Sequence, residues 1–336
     1  MLQSWLTGLR RVLAAPAVAA GVYLVTLGVA VPPSLVLRQS LERHLGASLM
    51  AESAADGLDW DWWQEFSGQA SGLEESFTPA VLGAAAPLAN LSGWLDRTPQ
   101  PLALAAAAGA YGAVWLFLWG GILDRYARGR ATRTHGFFAA CGVFFFRFLR
   151  LGVVAAVLYW LLLGPVHGWL FGRLLDRLTR DVTVERVAFA WRIGCYVALG
   201  AAIVAVNLVV DYAKIRAVVE DRRSMVFAVL ASVRFLARHP VGAGGLYLFN
   251  GLAFLAVLAL YALVAPGAGG GGPAVWHGFL VGQAYVLARL LVRLSFAASQ
   301  TCYFQTRLAH AGYAAFPTPP WPESPDAESV AHAAAD

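Results

Sequence analysis

Apolar residues gather along the chain into six long runs, at about 12–36, 101–123, 151–172, 187–210, 241–265 and 274–298. A helix rises about 1.5 Å per residue, so roughly 20 such residues cross a hydrocarbon core about 30 Å thick. Backbone groups in lipid have no water to bond, so each run must satisfy its own hydrogen bonds as a helix. The expected fold class is all-α: a polytopic membrane helix bundle with six transmembrane helices.

The polar positions punctuate these runs three times over. An Arg opens a run and an aromatic ring follows thirteen residues later, in Arg10 to Tyr23, Arg147 to Trp160 and Arg234 to Tyr247. A second run then closes on Tyr-x-x-x-Arg, in Tyr126 to Arg130, Tyr212 to Arg216 and Tyr303 to Arg307. Asp124 and Asp211 each precede the next opening Arg by 23 residues. Such repetition predicts three tandem hairpins. Before each hairpin lies a stretch with apolar residues on one side: Leu2 to Leu9, 136–149 and 224–237. These predict three elbow helices lying in the cytoplasmic interface. Pro16 and Pro240 each fall six residues after the opening Arg, so the first run matches a retained span and is not expected to be a cleaved leader.

The first hairpin is longer than the others by an insertion at 38–100 with three Arg and nine acids. Within it, Thr78-Pro79 predicts a helix start ahead of an apolar stretch to about Trp94. The six-helix domain is expected over 1–312, and 313–336 reads as a disordered tail, because a segment rich in Pro, Ala and acid cannot build a core.

Composition agrees with a membrane class: 59% of residues are hydrophobic and 13% charged, against about 25% charged in an ordinary soluble domain. The N-terminal segment, 123–150 and 211–240 carry most of the basic excess, whereas 38–100 is acidic and 266–274 uncharged. Basic loops collect on the cytoplasmic side, so both termini are expected in the cytoplasm of a bacterial inner membrane. The five Arg and three acids of 172–192 run against this alternation. Cys141, Cys195 and Cys302 have no metal or redox spacing and read as small buried hydrophobes.

The run Asp59-Trp60-Asp61-Trp62-Trp63-Gln64-Glu65-Phe66, followed by Phe77-Thr78-Pro79, resembles a family of uncharacterised bacterial six-helix inner-membrane proteins. So do Asp124-Arg125-Tyr126-Ala127-Arg128 and Asp211-Tyr212-Ala213-Lys214-Ile215-Arg216. That resemblance implies a membrane bundle over most of the chain and no catalytic residue. The elbow-plus-hairpin plan is similar in architecture to the membrane domain attached to some bacterial glycerophosphodiester phosphodiesterases, with nothing here matching their hydrolytic domain. The Pro-x-acid-x-x-base signature of mitochondrial carriers is absent from all three odd spans.

Candidate chemistry lies on two helix faces. At 100° per residue, Gly278, Gly282, Arg289, Arg293, Gln300 and Arg307 share one face of the sixth span. Arg293 lies ten residues inside Tyr303, about 15 Å, where a charge needs water or a partner. A polar cavity or anion-binding site and a snorkelling helix extension are both open readings. The fourth span carries Tyr196, Gly200, Asn207, Asp211 and Lys214. Asp124 and Asp211 are the natural partners for Arg289 or Arg293, either as a structural ion-pair network or as a relay. In the insertion, Trp60, Trp62, Trp63, Glu65 and Phe66 offer a periplasmic surface for a sugar or a protein partner, or an interfacial aromatic belt.

No His-Glu-x-x-His or Gly-x-Ser-x-Gly occurs, so no enzymatic activity, cofactor or metal is expected. The expected partners are the bilayer and a protein at the insertion or the basic loops, with no nucleic acid. The leading expectation is handling or transport of a small or lipid-like solute; the alternative is a scaffold or accessory subunit.

Overall fold

The computed structural model describes residues 1–46, 48–56, 59–77, 92–93, 95–96, 98, 101–129, 133–265 and 272–308. Among them every regular element is helical. In chain order these are α1 (Leu2–Leu13), α2 (Pro16–Leu45), α3 (Ala51–Asp56), α4 (Trp60–Gln69), a 3-10 turn (Glu74–Ser76) and α5 (Leu102–Arg128). Then follow α6 (Thr134–Thr179), α7 (Glu185–Val219), α8 (Met225–Arg238), α9 (Pro240–Val264) and α10 (Pro273–Leu308). Six of them, α2, α5, α6, α7, α9 and α10, are long and apolar enough to cross a membrane, one for each apolar run of the sequence. The chain is therefore a multi-pass membrane protein by length and composition of its helices.

Local chemistry sets the breaks. Pro16 and Pro240 stand at the first turns of α2 and α9, where the missing N–H costs nothing. The residue before a proline is pushed out of the helical region. Ala15 accordingly has φ −129° and ψ 56°, and His239 has φ −131° and ψ 47°, almost the same corner. The second expected elbow departs from this. The position six residues after Arg147 is Val153, not Pro, and the helix runs on without a break from Thr134 through 136–149 into the span. A separate interfacial helix there is not formed. Two π turns, Leu162–Val166 around Pro165 and Leu170–Leu174, sit further along the same helix. The expected helix start at Thr78-Pro79, the apolar stretch after it, Arg130, the glycine run and the tail 313–336 lie outside the described residues.

The core lies at one end of the bundle. It is built from the last turns of α5 (Trp115 to Ala127), α7 (Tyr212 to Val219) and α10 (Leu290 to Phe304). The closing tyrosines Tyr126, Tyr212 and Tyr303 are all buried in it. α1 packs along α10, the first turns of α6 along α5, and α8 along α7. Small residues allow these approaches. A Cβ at Gly8 would meet the Ser299 backbone, and one at Gly120 would lie 2.8 Å from the Ala140 carbonyl oxygen. Away from this end α2 and α9 turn Leu24, Leu248, Leu252 and Leu255 outward, a surface suited to lipid and costly in water.

Polar ties reinforce the same end. Arg11 Nη1 donates to the Tyr126 carbonyl and, at 3.0 Å, to Gln305 Oε1. Gln305 Nε2 donates to the Ala127 carbonyl at 2.8 Å. Asn250 is fully buried on α9; it donates to Ser299 Oγ at 3.0 Å and accepts from Trp5 Nε1 at 3.2 Å.

Candidate functional site: a polar cavity among four spans

A cavity of about 270 Å³ opens between α5, α7, α9 and α10. Its walls are Trp119 and Leu123 from α5, Asn207, Asp211, Lys214 and Ile215 from α7, Tyr247 from α9, and Arg293, Phe296, Ala297 and Gln300 from α10. Helical period explains the selection. Asn207, Asp211 and Lys214 lie four and three residues apart on one face of α7, and Arg293, Phe296, Ala297 and Gln300 likewise on α10. Five residues singled out from the sequence, Asn207, Asp211, Lys214, Arg293 and Gln300, therefore meet in one space.

The charges are arranged around aromatic rings. Lys214 Nζ lies 2.7 Å from Asp211 Oδ1 and 4.6 Å from the centre of the Trp119 ring. Arg293 Cζ lies 3.7 Å from the Trp115 ring centre and 5.7 Å from that of Trp119. Cation–π contact is worth about 2 kcal/mol or more when desolvated, which offsets part of the cost of burying these cations. Gln300 Nε2 donates to Asp211 Oδ2 at 3.5 Å, and Tyr159 Oη donates to Asn207 Oδ1.

Two expected members stand elsewhere. Asp124 is buried and pairs with Arg128 one turn on, at 2.8 Å, and does not line the cavity. Counted from the buried tyrosines, Asp124 is two residues before Tyr126 but Asp211 is one before Tyr212, and a one-residue offset turns a side chain by 100°. Arg289 is exposed and off the cavity wall. The partner expected for Arg293 was a carboxylate: Asp211 shares the cavity and its charge favours the guanidinium, without a direct salt bridge between them, while Tyr111 hydrogen-bonds Arg293 and Trp115 is its closest ring.

The walls also include residues the charge pattern passed over. Trp119 and Phe296 each precede a closing tyrosine by seven residues, and Leu123 and Gln300 precede the same tyrosines by three. Reading the tyrosine frame outward would have found them. The three recurring aromatics diverge in use: Tyr247 lines the cavity, Tyr23 Oη donates to Gln283 Oε1 at 2.8 Å, and Trp160 is exposed.

In the insertion, Asp59 caps α4 by accepting from the Trp62 N–H at 3.0 Å. That bond, then the Ser53 hydroxyl, holds its carboxyl below the ordinary range. Trp62 and Phe66 face inward: their rings stack at 5.4 Å, Trp62 Nε1 donates to His44 Nδ1 at 3.1 Å, and Phe77 closes the cluster. They are buried in the packing of α4 on the end of α2. Trp60 is 53% exposed, lies 4.8 Å from the Trp63 ring, and leaves Glu65 exposed one turn on. Glu74 accepts from Ser40 Oγ and, at 3.1 Å, from the Ser71 N–H. Those bonds, with the charges of Arg43 and His44 nearby, depress its carboxyl.

Among the described residues no group of three His, Cys, Asp or Glu side chains is placed to hold a metal ion. No family model, curated protein or solved structure matches the chain.

Proposed function

We propose that this is a bacterial inner-membrane protein made of three tandem hairpins, both termini cytoplasmic, whose central cavity handles or moves a small or lipid-like solute without covalent chemistry. The observation that carries the reading is the meeting of Asn207, Asp211, Lys214, Arg293 and Gln300 in one space enclosed by four spans. Charged and amide side chains at such depth are costly and mark a solute path more often than a packed core.

Three features support the hairpin plan. Ala15 and His239 make matching corners before Pro16 and Pro240. Ser4, Cys141 and Ala228, each six residues before Arg10, Arg147 and Arg234, are all buried. The first stretch of each hairpin packs on the even span of the preceding one, and α1 on the last, so the three units close as a ring. The excess of Arg around 123–150 and 211–240 supports a cytoplasmic position for the packed end.

Water access tests the reading. In a background with Cys141, Cys195 and Cys302 replaced, Asn207→Cys and Ala297→Cys should react with a charged maleimide in intact cells or inside-out vesicles. Leu252→Cys, on the outward face of α9, should not. Failure of both cavity positions to react from either side, with normal insertion, would overturn it.

A scaffold reading keeps one specific support, the exposed Trp60 beside Trp63 and Glu65. It requires Trp60→Ala with Trp63→Ala to release a protein that co-purifies with the intact chain. Nothing co-purifying in mild detergent would remove it.

A further inference from the structure

We propose that the cavity is a binding site for a compact oxyanion and that the Arg293 guanidinium is its anchor. This rests on the reading of the cavity as a solute site and names what the site takes.

Charge comes first. Among the residues lining the cavity Asp211 is the only carboxylate, and it lies 2.7 Å from the Lys214 ammonium. Setting that pair against itself leaves one positive charge on the wall, that of Arg293. A cation enclosed by apolar spans draws in a counter-charge, so an anion relieves what the fixed side chains leave unbalanced.

Geometry selects the kind of anion. The guanidinium carbon lies 3.7 Å from the Trp115 ring centre and 5.7 Å from that of Trp119. The Tyr111 side chain hydrogen-bonds the guanidinium, and contact through the π face of Trp115 does not consume the remaining N–H donors of its five. Those donors form a planar fork that matches two oxygens of a phosphate or carboxylate, which a chloride-like sphere would not exploit. Neutral donors complete the lining. The Asn207 oxygen accepts from Tyr159 and its amide donates to the Tyr247 hydroxyl oxygen, which leaves the second amide N–H and the Tyr247 O–H as donors on this wall. The Gln300 amide nitrogen is turned to Asp211, away from the role of anion donor.

Size sets the limit. At about 30 Å³ per water, a space of about 270 Å³ holds roughly nine waters. That accommodates an oxyanion head of a few heavy atoms. An acyl chain attached to it would have to lie outside, between the spans. The head can therefore come from a dissolved anion or from an anionic lipid, and the chemistry at Arg293 is the same for both.

The experiment uses the full chain in nanodiscs of phosphatidylcholine. One arm titrates inorganic phosphate and follows the melting temperature. The other adds one part in four of phosphatidylglycerol and counts lipid retained per chain by native mass spectrometry. Wild type should gain stability with phosphate, marking a dissolved anion, or retain one phosphatidylglycerol, marking a lipid head. Arg293→Gln should weaken that binding at least tenfold. Arg293→Lys should bind with intermediate affinity, since it keeps the charge and loses the fork, and it guards against misfolding of the neutral variant. Arg289→Gln, off the wall, should bind within twofold of wild type. The proposal is overturned by wild type that binds neither probe, or by Arg293→Gln that binds as wild type does. Cavity cysteines that label while neither probe binds would sink this inference and leave the solute reading standing.

Discussion

Gly8 of α1 lies against Ser299 of α10 so closely that a Cβ on residue 8 would fall 2.5 Å from the Ser299 Cα. This contact joins the first element of the chain to its last span and lets α1 lie along α10. Nothing larger than hydrogen fits without moving one helix. Replacing Gly8 by Val or Leu should therefore cost at least the roughly 1–3 kcal/mol typical of overpacking. Gly21, which has open space around it, is the control. Melting of the purified protein in detergent reads the difference. A Gly8→Leu variant as stable as Gly21→Leu would show that α1 is free to move off α10.

Arg11 works at the same junction. It donates to the Tyr126 carbonyl on α5 and to the Gln305 amide oxygen on α10. A charged hydrogen bond contributes about 1.5–3 kcal/mol. Arg11→Met, which retains much of the stem, should lose about that amount and raise hydrogen exchange in the last turns of α1. Exchange unchanged across Leu2–Leu13 would refute a tie at this residue.

Asn250 joins α1, α9 and α10 through Trp5 and Ser299. Asn250→Leu keeps a similar volume but strands the Trp5 N–H and removes a donor from Ser299. Each buried group left unsatisfied costs about 1–3 kcal/mol. Trp5→Phe combined with Asn250→Leu should recover part of the loss. A double variant no better than the single would place the cost elsewhere.

Trp62 holds the insertion to the end of α2. Truncating a buried Trp costs about 3–5 kcal/mol, so Trp62→Ala should expose 48–77 to limited proteolysis while the spans stay intact. Trp62→Phe should do so only mildly, since it loses the His44 bond but keeps a ring against Phe66. Equal protease resistance in wild type and Trp62→Ala would exclude this packing.

The Glu74 carboxyl is depressed, chiefly by the Ser40 hydroxyl and then by the Ser71 N–H. Protons thus bind more readily to the unfolded insertion than to the folded one. The contribution of Glu74 is complete above the ordinary carboxylate range and is lost as pH falls through its lowered folded value. Trp fluorescence of the insertion should report loosening on acidification in that window, and Glu74→Gln should flatten that step. A step of the same size in Glu74→Gln would assign it to another acid.

Much of this molecule was legible in the order of its residues. An apolar run of span length is a property of composition, so all six spans stood at the expected places. Pro16 and Pro240 forced corners for the same local reason. Helical period put Asn207, Asp211 and Lys214 on one face, and Arg293 and Gln300 on another, before any contact was known. Tertiary structure alone decided how those faces meet. It turned Asp211 into the cavity and Asp124 onto Arg128, set Arg293 on Trp115, and drew Trp62 and Phe66 inward. Period gives the angle of a side chain about its own helix axis and says nothing of how one helix is rotated against its neighbour. That rotation is set where backbones touch, at Gly8 on Ser299 and Gly120 on Ala140, between residues far apart in the chain.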